Sequence, residues 1–578
     1  MRYRVLATDY DGTLAHNGKV SDSTLESLRE FIATGRQAVL VTGRELPDLK
    51  SVFSELNLFR WVIAENGGLI YEPSTTKEIV VGPQACQKLV ELLRERGVSP
   101  SVGQSIIATW SPYEQIVLRS IHDLGLEMQV IFNKGAVMVL PTGVNKASGL
   151  QTVLEMMKLS RHNVVGVGDA ENDHSFLQMV EFSAATANAL PSLHEIVDLV
   201  LPHSHGQGVE FLIDQILADD LYSYKRTIKR HSLLIGNAGD DEASIPSYGG
   251  PLLICGPSGS GKSTLLNRLV DAIQEQGFQF CLIDPEGDYE SFEGAVVLGS
   301  PNNAPHIEEA LHVLEQPDAS LVLCLTGIPI PERPAFFGEF QAGLTQLRSQ
   351  FGRPHWLLLD EAHHLIPADW GPSSETLPST WNNVVLITVQ PSLLPEPLLK
   401  QVETVAIIGN EVEQTAGDFV SVTGVQTPRI STSDLEYGEV VLWTVANPEG
   451  VQYCKAIKSQ RQHHRHRRKY AEGQLPPERS FFFRGPHDQL NLRAQNLILF
   501  CQIAEGIDDE TWMYHLARGD YSKWFSDSIK DESLAKDVDE IVALVNVSET
   551  ERKQLVLEAI QRRYTLPSTP LVSLPGAS

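Results

Sequence analysis

The 578-residue sequence is poor in cysteine, in positive charge and in long apolar runs, and each shortage excludes something. Its six cysteines (Cys86, Cys255, Cys281, Cys324, Cys454 and Cys501) lie far apart without a Cys-x-x-Cys pair, most of them in apolar runs such as Leu252-Leu253-Ile254-Cys255. They read as buried free thiols rather than as a disulfide framework or a zinc site. No apolar run approaches a membrane span, and the opening Val5-Leu6-Ala7-Thr8 breaks at Asp9 before a signal-peptide core could form. The expected location is cytoplasmic, with no membrane contact. Lys and Arg number 46 against 73 Asp and Glu, a formal charge of −27, which disfavours wrapping nucleic acid over the whole surface and leaves room for a local basic stripe. Neither the 43 Gly nor the 33 Pro follow a period, so collagen-like, disordered and coiled-coil classes drop out. A chain this long outgrows one hydrophobic core, and two to four domains are expected.

Over roughly the first 215 residues, apolar strand-like runs alternate with amphipathic helical stretches, the rhythm of a parallel sheet covered by helices. Sites then belong at the strands' C-terminal ends. The first strand runs into Asp9-Tyr10-Asp11-Gly12-Thr13-Leu14, where two carboxylates two residues apart can face one crevice and Gly12 lets the chain turn. A calcium loop would need Gly at its sixth position and Glu at its twelfth, where this chain has Leu14 and Val20. Three further pieces follow: Val39-Leu40-Val41 ending in Thr42-Gly43-Arg44, Lys146 in Gly143-Val144-Asn145-Lys146, and Val164 to Val167 leading into Gly168-Asp169-Ala170-Glu171-Asn172-Asp173.

In order and spacing these resemble the four motifs of the haloacid dehalogenase (HAD) phosphotransferases, in particular the Cof-type (IIB) phosphatases, which share the Glu65-Asn66-Gly67-Gly68 turn. The resemblance implies that Asp9 is a nucleophile forming an aspartyl-phosphate, that Asp11 protonates the leaving alcohol and then activates water, and that Thr42 and Lys146 hold the phosphoryl oxygens. It implies Mg²⁺ on Asp9, the Asp11 carbonyl and Asp169, with Asn172 and Asp173 in support. Residues of about 81–140 correspond to an inserted α/β cap, with helices over Pro83 to Arg96 and Pro112 to Gly125 and strands over Met128 to Phe132 and Ala136 to Leu140. Asn133 and Lys134 in its turn either touch substrate or form a plain polar hairpin turn. A capped site implies a small phosphorylated metabolite, such as a sugar phosphate.

A second nucleus begins at the buried strand Pro251 to Cys255, followed by Gly256-Pro257-Ser258-Gly259-Ser260-Gly261-Lys262-Ser263-Thr264 and a helical run. This is a complete Walker A: backbone N–H groups cradle phosphates at the helix start, Lys262 reaches the β and γ oxygens, and Ser263 ligates Mg²⁺. ATP is the expected ligand. Trp356 to Leu359 ends in Asp360-Glu361, a Walker B in which Asp360 holds the metal through water and Glu361 polarises attacking water. Val384 to Val389 ends at Gln390, placed to sense the γ-phosphate. With Ile283 to Tyr289 and Asp360-Glu361-Ala362-His363-His364, the region resembles the HerA/FtsK branch of RecA-like ATPases. That resemblance implies a homo-oligomer, hexameric in that branch, and a neighbour's arginine in the site. Arg429 is a candidate for it, or a plain surface arginine.

The dense basic run Arg461-Gln462-His463-His464-Arg465-His466-Arg467-Arg468-Lys469 lacks the interleaved aromatics of a base-stacking surface, so nucleic acid is left open and not favoured. Beyond it the chain is rich in aromatics, with helical spacing at Leu490 to Ile503, Ser533 to Val545 and Glu549 to Arg563. The expected organisation is α/β: a HAD Rossmann-like domain over 1–215 with a cap at about 81–140, a RecA-like P-loop domain over 216–454, a basic linker over 455–478, a small helical accessory domain over 479–565, and a disordered tail over 566–578. The leading functional expectation is a Mg²⁺-dependent phosphatase for a small metabolite whose ATP-binding partner domain regulates or assembles it. The alternatives are a ring-forming motor on nucleic acid with an accessory phosphatase, and a nucleotide-switched scaffold.

Overall fold

The computed structural model describes residues 2–133, 135–225, 230–290, 292–369, 380–430, 435–436, 438–457, 459, 475, 479–487, 489–529, 531–544 and 547–564. Lys134, the basic run and the 566–578 tail lie outside them. The described residues form two compact units, residues 1–287 with 292–459, and residues 288–291 with 460–578.

In the first unit, the fully buried Val5–Thr8 strand takes the middle of an eight-stranded sheet, with Val164–Gly168 on one side and Gln37–Val41 on the other, both parallel to it. Parallel pairing continues to Phe182–Ala185 and Leu199–Val200 at one edge and to Trp61–Ala64 at the other, where Leu69–Glu72 and Lys77–Val80 add antiparallel strands. Such strands are apolar on both faces because both are covered, one around Leu28, Phe31 and Val209, the other around Leu150, Val153 and Phe176. Asp9, Thr42 and Asp169 therefore follow the C-terminal ends of adjacent central strands, while Lys146 opens the helix Lys146–Met157. Asn145 caps that helix in a reciprocal box: its side chain accepts from Ser148 N at 3.0 Å, and Ser148 Oγ accepts from Asn145 N at 2.9 Å.

The segment between the second and third motifs folds as an antiparallel four-stranded sheet, in the order Ser101–Val102, Ile107–Trp110, Ala136–Pro141, Met128–Asn133, with helices Gln87–Glu95 and Glu114–Asp123. Both helices are a turn shorter than the sequence pattern suggests, since Pro83 and Pro112 stand in the approaches and not in the helices themselves. This small sheet is held by Glu65, whose buried carboxylate accepts backbone N–H groups of Gln104, Ser105 and Ile106 at 3.0, 2.8 and 3.3 Å.

The Glu65–Gly68 turn depends on Gly67, which has φ +105° and sits where a Cβ would come within 2.0 Å of the Asn145 carbonyl oxygen. Gly67→Ala should cost about 3 kcal/mol or more in denaturant unfolding, combining strain with collision. Gly97→Ala, at φ +81° with nothing within 4 Å, should cost only about 1 kcal/mol.

The same unit contains an eleven-stranded sheet. Seven strands run parallel, with Leu252–Cys255 between Val384–Thr388 and Thr404–Ile407, and Trp356–Leu359 beyond Val384–Thr388. The antiparallel extension Glu439–Thr444, Val451–Ala456, Leu233–Ala238, Asp241–Ile245 completes it. The helix His205–Asp219 precedes the hairpin of Leu233–Ala238 with Asp241–Ile245. The hairpin's exposed polar positions hide its alternation.

The two lobes of this unit share buried polar contacts. Ser247 Oγ donates to Glu181 Oε1 at 2.8 Å, Glu181 also pairs with Arg2, and the His162 ring stacks on Phe278 at 3.8 Å between centroids. Arg353, fully buried, donates to the Lys158 carbonyl at 2.8 Å.

The second unit has the hairpin Phe481–Phe483 with Leu492–Ala494 and helices Leu497–Gly506, Asp509–Ala517, Asp520–Asp527, Glu532–Ala543 and Glu549–Tyr564 around Phe500, Trp512, Tyr521 and Phe525. The helix expected from Leu490 begins instead at Leu497, because Asn496 caps it by accepting from Leu499 N at 2.8 Å and the residues before pair as a strand. His515 is buried between Asp520, at 2.8 Å, and the Arg484 N–H that it accepts at 3.1 Å, a structural role.

Candidate functional site

At the end of the Val5–Thr8 strand, Asp9 is buried, and the fully buried Lys146 ammonium donates to Asp9 Oδ1 and to Asp173 Oδ1, both at 2.5 Å. Asp173 is itself fixed: its Oδ2 accepts the N–H groups of Asp169 and Ala170 at 2.8 and 2.9 Å. Oxygens of Asp9, Asp169 and Asp173 all lie within 4.8 Å of one another. Burial, and then the neighbouring Asp173 carboxylate, push the Asp9 carboxyl up to about 8, against the pull of Lys146. The Lys146 ammonium is held above its ordinary range, since Asp173 and Asp9 outweigh the burial that opposes its charge. Three carboxylates against one ammonium leave this buried pocket short of positive charge, and an all-oxygen donor set of this kind fits a hard divalent cation.

Thr42 is buried beside these groups, its hydroxyl accepting the Arg44 N–H at 3.1 Å. Asn172 donates to Asn66 Oδ1 at 3.1 Å, joining the Asp169–Asp173 loop to the Glu65–Gly68 turn. Asp11 is on the rim, 42% exposed in its side chain, and Arg44 holds both its oxygens at 2.6 and 2.8 Å. Arg44 is thereby held above its ordinary range, chiefly by that hydrogen bonding. The strand Met128–Asn133 runs against the Glu171–Asp173 turn, and Met138 Sδ comes close to Gly43.

In the other lobe, Gly256, Gly259 and Gly261 have φ of +152°, +81° and +107°, and a Cβ on Gly256 would lie 2.0 Å from the Ile408 carbonyl oxygen. That backbone wraps the loop Gly256-Pro257-Ser258-Gly259-Ser260-Gly261 onto the start of the helix Lys262–Glu275, where Lys262, Ser263 and Thr264 form the first turn. Lys262 Nζ donates to the Gly256 and Pro257 carbonyls, each at 3.0 Å. Asp360 is buried at the end of Trp356–Leu359, and Glu361 follows with a left-handed φ of +40°. Gln390 is exposed just past Val384–Thr388, the strand that separates the Walker A strand from the Walker B strand. His363 lies 3.2 Å from Thr388 Oγ1 and 3.6 Å from Glu361, and burial pushes its imidazole down to about 4. Arg429 is exposed and pairs with Glu449 at 2.9 Å.

Residues 6–108 and 113–213 match the model of the haloacid dehalogenase-like hydrolases, and residues 245–394 that of an AAA domain. The phosphoglycolate phosphatase of Methanothermobacter thermautotrophicus is 30% identical over 213 residues, covering 36% of this chain and 95% of that protein. The chain belongs to the haloacid dehalogenase-like hydrolases. Phosphoglycolate phosphatase 2 of Saccharolobus solfataricus is 29% identical over 223 residues, 37% of this chain and 92% of its own length. Among solved structures, a haloacid dehalogenase-like hydrolase from Bacteroides thetaiotaomicron aligns at 18% identity and TM-score 0.34, over 37% of this chain and 99% of that one. The protein is thus a hydrolase of phosphatase type whose chain continues into an AAA nucleotide-binding domain.

Around the hydrolase centre the structure adds residues that the motifs do not single out. Thr13 Oγ1 donates to Asp169 Oδ1 at 3.1 Å, and Asn188 donates to the Gly12 carbonyl at 2.9 Å and to Asp169 Oδ2 at 3.4 Å. His205 Nδ1 lies 2.9 Å from the same Gly12 carbonyl. Arg44 carried a signal, as an arginine ending the second motif; Asn188 and His205 had none, since loop and helix-start polar residues are common.

Proposed function

We propose that the hydrolase domain is a Mg²⁺-dependent phosphomonoesterase working through an aspartyl-phosphate on Asp9. One observation supports this above the rest: Asp9 and Lys146, 137 residues apart, meet at 2.5 Å in a buried cluster with Asp169 and Asp173. An Asp9 oxygen attacks phosphorus, the ester P–O bond breaks, and its electron pair leaves on the alcohol oxygen, which takes a proton from Asp11. Water then attacks the aspartyl-phosphate, giving a proton to Asp11, and inorganic phosphate departs with Asp9 restored. Because Arg44 occupies both Asp11 oxygens, that pair opens before Asp11 can serve either step. Lys146 and Thr42 hold the transferring oxygens. The metal would sit on Asp9, Asp169 and the Asp11 carbonyl, with Asn172 and Asp173 behind, and would neutralise phosphoryl charge.

The cap over the site and the phosphoglycolate phosphatase names of the relatives both favour a small substrate, a phosphorylated hydroxy acid or sugar phosphate. The AAA domain binds and hydrolyses ATP through Lys262, Ser263, Asp360, Glu361 and Gln390, and it regulates or assembles the phosphatase. The buried contacts between the lobes support that coupling. The HerA/FtsK-like motifs extend the proposal to an oligomeric ring.

The test is phosphate release from phosphoglycolate and a panel of sugar phosphates. Turnover should vanish with EDTA, return with Mg²⁺, and change when ATP is added. Absence of ester hydrolysis, with Lys262-dependent ATP hydrolysis intact, would sink the phosphatase reading.

A further inference from the structure

Away from both catalytic centres, a cavity of about 320 Å³ opens between Arg2 and Tyr248 on one side and the helix Arg333–Phe351 on the other. That helix presents Gln341, Thr345, Arg348 and Ser349 to it, the i, i+4, i+7, i+8 spacing of a single face. The cavity lies at the strands' opposite ends from the chemistry. Arg2 precedes the strand that leads to Asp9, and Val384 opens the strand whose far end is Thr388.

Its lining carries more polar hydrogen-bonding capacity than the protein itself satisfies. Arg2, Gln341 and His355 are each more than nine-tenths buried, yet Arg2 Nη1, Gln341 Oε1 and His355 Nε2 have no hydrogen-bond partner, and neither has Arg348 Nη2. Four such atoms around one cavity run against the rule that buried polar groups find partners. Charge points the same way. Arg2 is balanced by Glu181, but Arg348 donates only to carbonyl oxygens, of Pro354 at 3.1 Å and Asn382 at 3.2 Å, and no carboxylate pairs with it among the described residues. Burial pushes its guanidinium down to about 10. His355 Nδ1 accepts the Gln279 N–H at 2.9 Å, which leaves Nε2 as a donor. Apolar surface is supplied by Phe278, Tyr248 and Trp381.

We propose that this cavity binds a small molecule with one oxyanion, phosphoryl or carboxylate, on an aromatic or apolar body, the oxyanion pairing with Arg348 and the body lying against Tyr248 and Trp381. The unpartnered atoms are sealed from solvent in side chains that line the cavity, so binding requires those side chains to turn toward the ligand. A guanidinium meeting an oxyanion forms charge-assisted hydrogen bonds, and the volume suits a metabolite-sized molecule rather than bare phosphate.

The experiment uses the full chain carrying Asp9→Asn and Lys262→Ala, so that neither catalytic site turns over, and measures by calorimetry the binding of phenylphosphonate, benzoate and inorganic phosphate, counting for this cavity only the part that Arg348→Met or Gln341→Leu weakens. Phenylphosphonate or benzoate should bind with Kd near or below about 1 mM. Whichever binds tighter identifies the oxyanion. Adding Arg348→Met should weaken binding about tenfold or more. Gln341→Leu should weaken it several-fold, since the amide turns over to donate its Nε2–H to the oxyanion, and should not lower Tm, since Oε1 stands unpartnered without the ligand. If Arg348→Met does not fold, Gln341→Leu decides. No binding by about 10 mM, binding unchanged in the variants that fold, or phosphate binding as tightly as the aromatic ligands would overturn the proposal.

Discussion

Asp9→Asn should lower phosphomonoesterase activity by on the order of 10⁴-fold or more while leaving ATP hydrolysis in place. The amide is close in shape but is a poor nucleophile and a poor metal ligand, so both proposed roles of the group disappear together. The fold should survive. Lys146 keeps Asp173 as a partner at 2.5 Å, and the crowding of Asp9 with Asp173 and Asp169, part of what pushes the Asp9 carboxyl up to about 8, is relieved. A Tm equal to or slightly above that of the parent chain is expected. Lys262→Ala should do the converse, removing ATP turnover and sparing phosphatase chemistry except for whatever part ATP controls. Steady-state rates of both reactions on both variants make the check. Phosphatase activity surviving Asp9→Asn would remove the aspartyl-phosphate mechanism, whatever the substrate.

Glu181→Ala should be the most damaging substitution outside the catalytic centres, costing about 3–5 kcal/mol and lowering Tm by on the order of 10 °C. Glu181 is fully buried, and its carboxylate serves Arg2, Ser247 at 2.8 Å and His162 at 2.6 Å. Removing it strands the Arg2 charge between the two lobes. Burial alone would raise the Glu181 carboxyl, but Arg2 and His162 overcome it and hold it well below the ordinary carboxylate range. The sign of the pH effect follows. A depressed folded-state value means that the stabilisation is complete above the unfolded value of about 4.3 and is lost as pH falls through the folded one. The parent chain should lose stability below about pH 4, and Glu181→Ala should flatten that limb. Denaturant unfolding between pH 3 and 7 measures it. An acid limb of equal steepness in the variant would show that other carboxylates govern it.

Legibility in the sequence followed the range of the interactions. The Walker A loop reads from the sequence because its chemistry is local: glycines at left-handed φ, an apolar strand before and a helix after are all set within a dozen residues. The hydrolase motifs read for the same reason, each a strand end with its own turn. The strands Met128–Asn133 and Ala136–Pro141 follow from their apolar runs. The hairpin at Leu233–Ala238 does not, because it is recruited by pairing with Val451–Ala456, more than two hundred residues away, and its outer face is polar. The Leu492–Ala494 strand likewise exists only through its partner, Phe481–Phe483.

Asp9, Thr42, Lys146 and Asp169 could be named as a site from sequence because residue type and spacing carry that much, and the same holds for Lys262 and Asp360. Sequence by itself thus marked out two candidate centres and the strand and helix ends that present their residues. Tertiary structure alone decided that Arg44 clamps Asp11, that Asn188 and His205 converge on the Gly12 carbonyl, and that Arg2, Tyr248 and Arg348 enclose a common cavity. The physical reason is that these are side-chain meetings between distant segments. They are set by sheet order and by the packing of one lobe on the other, and no local pattern of residues encodes either.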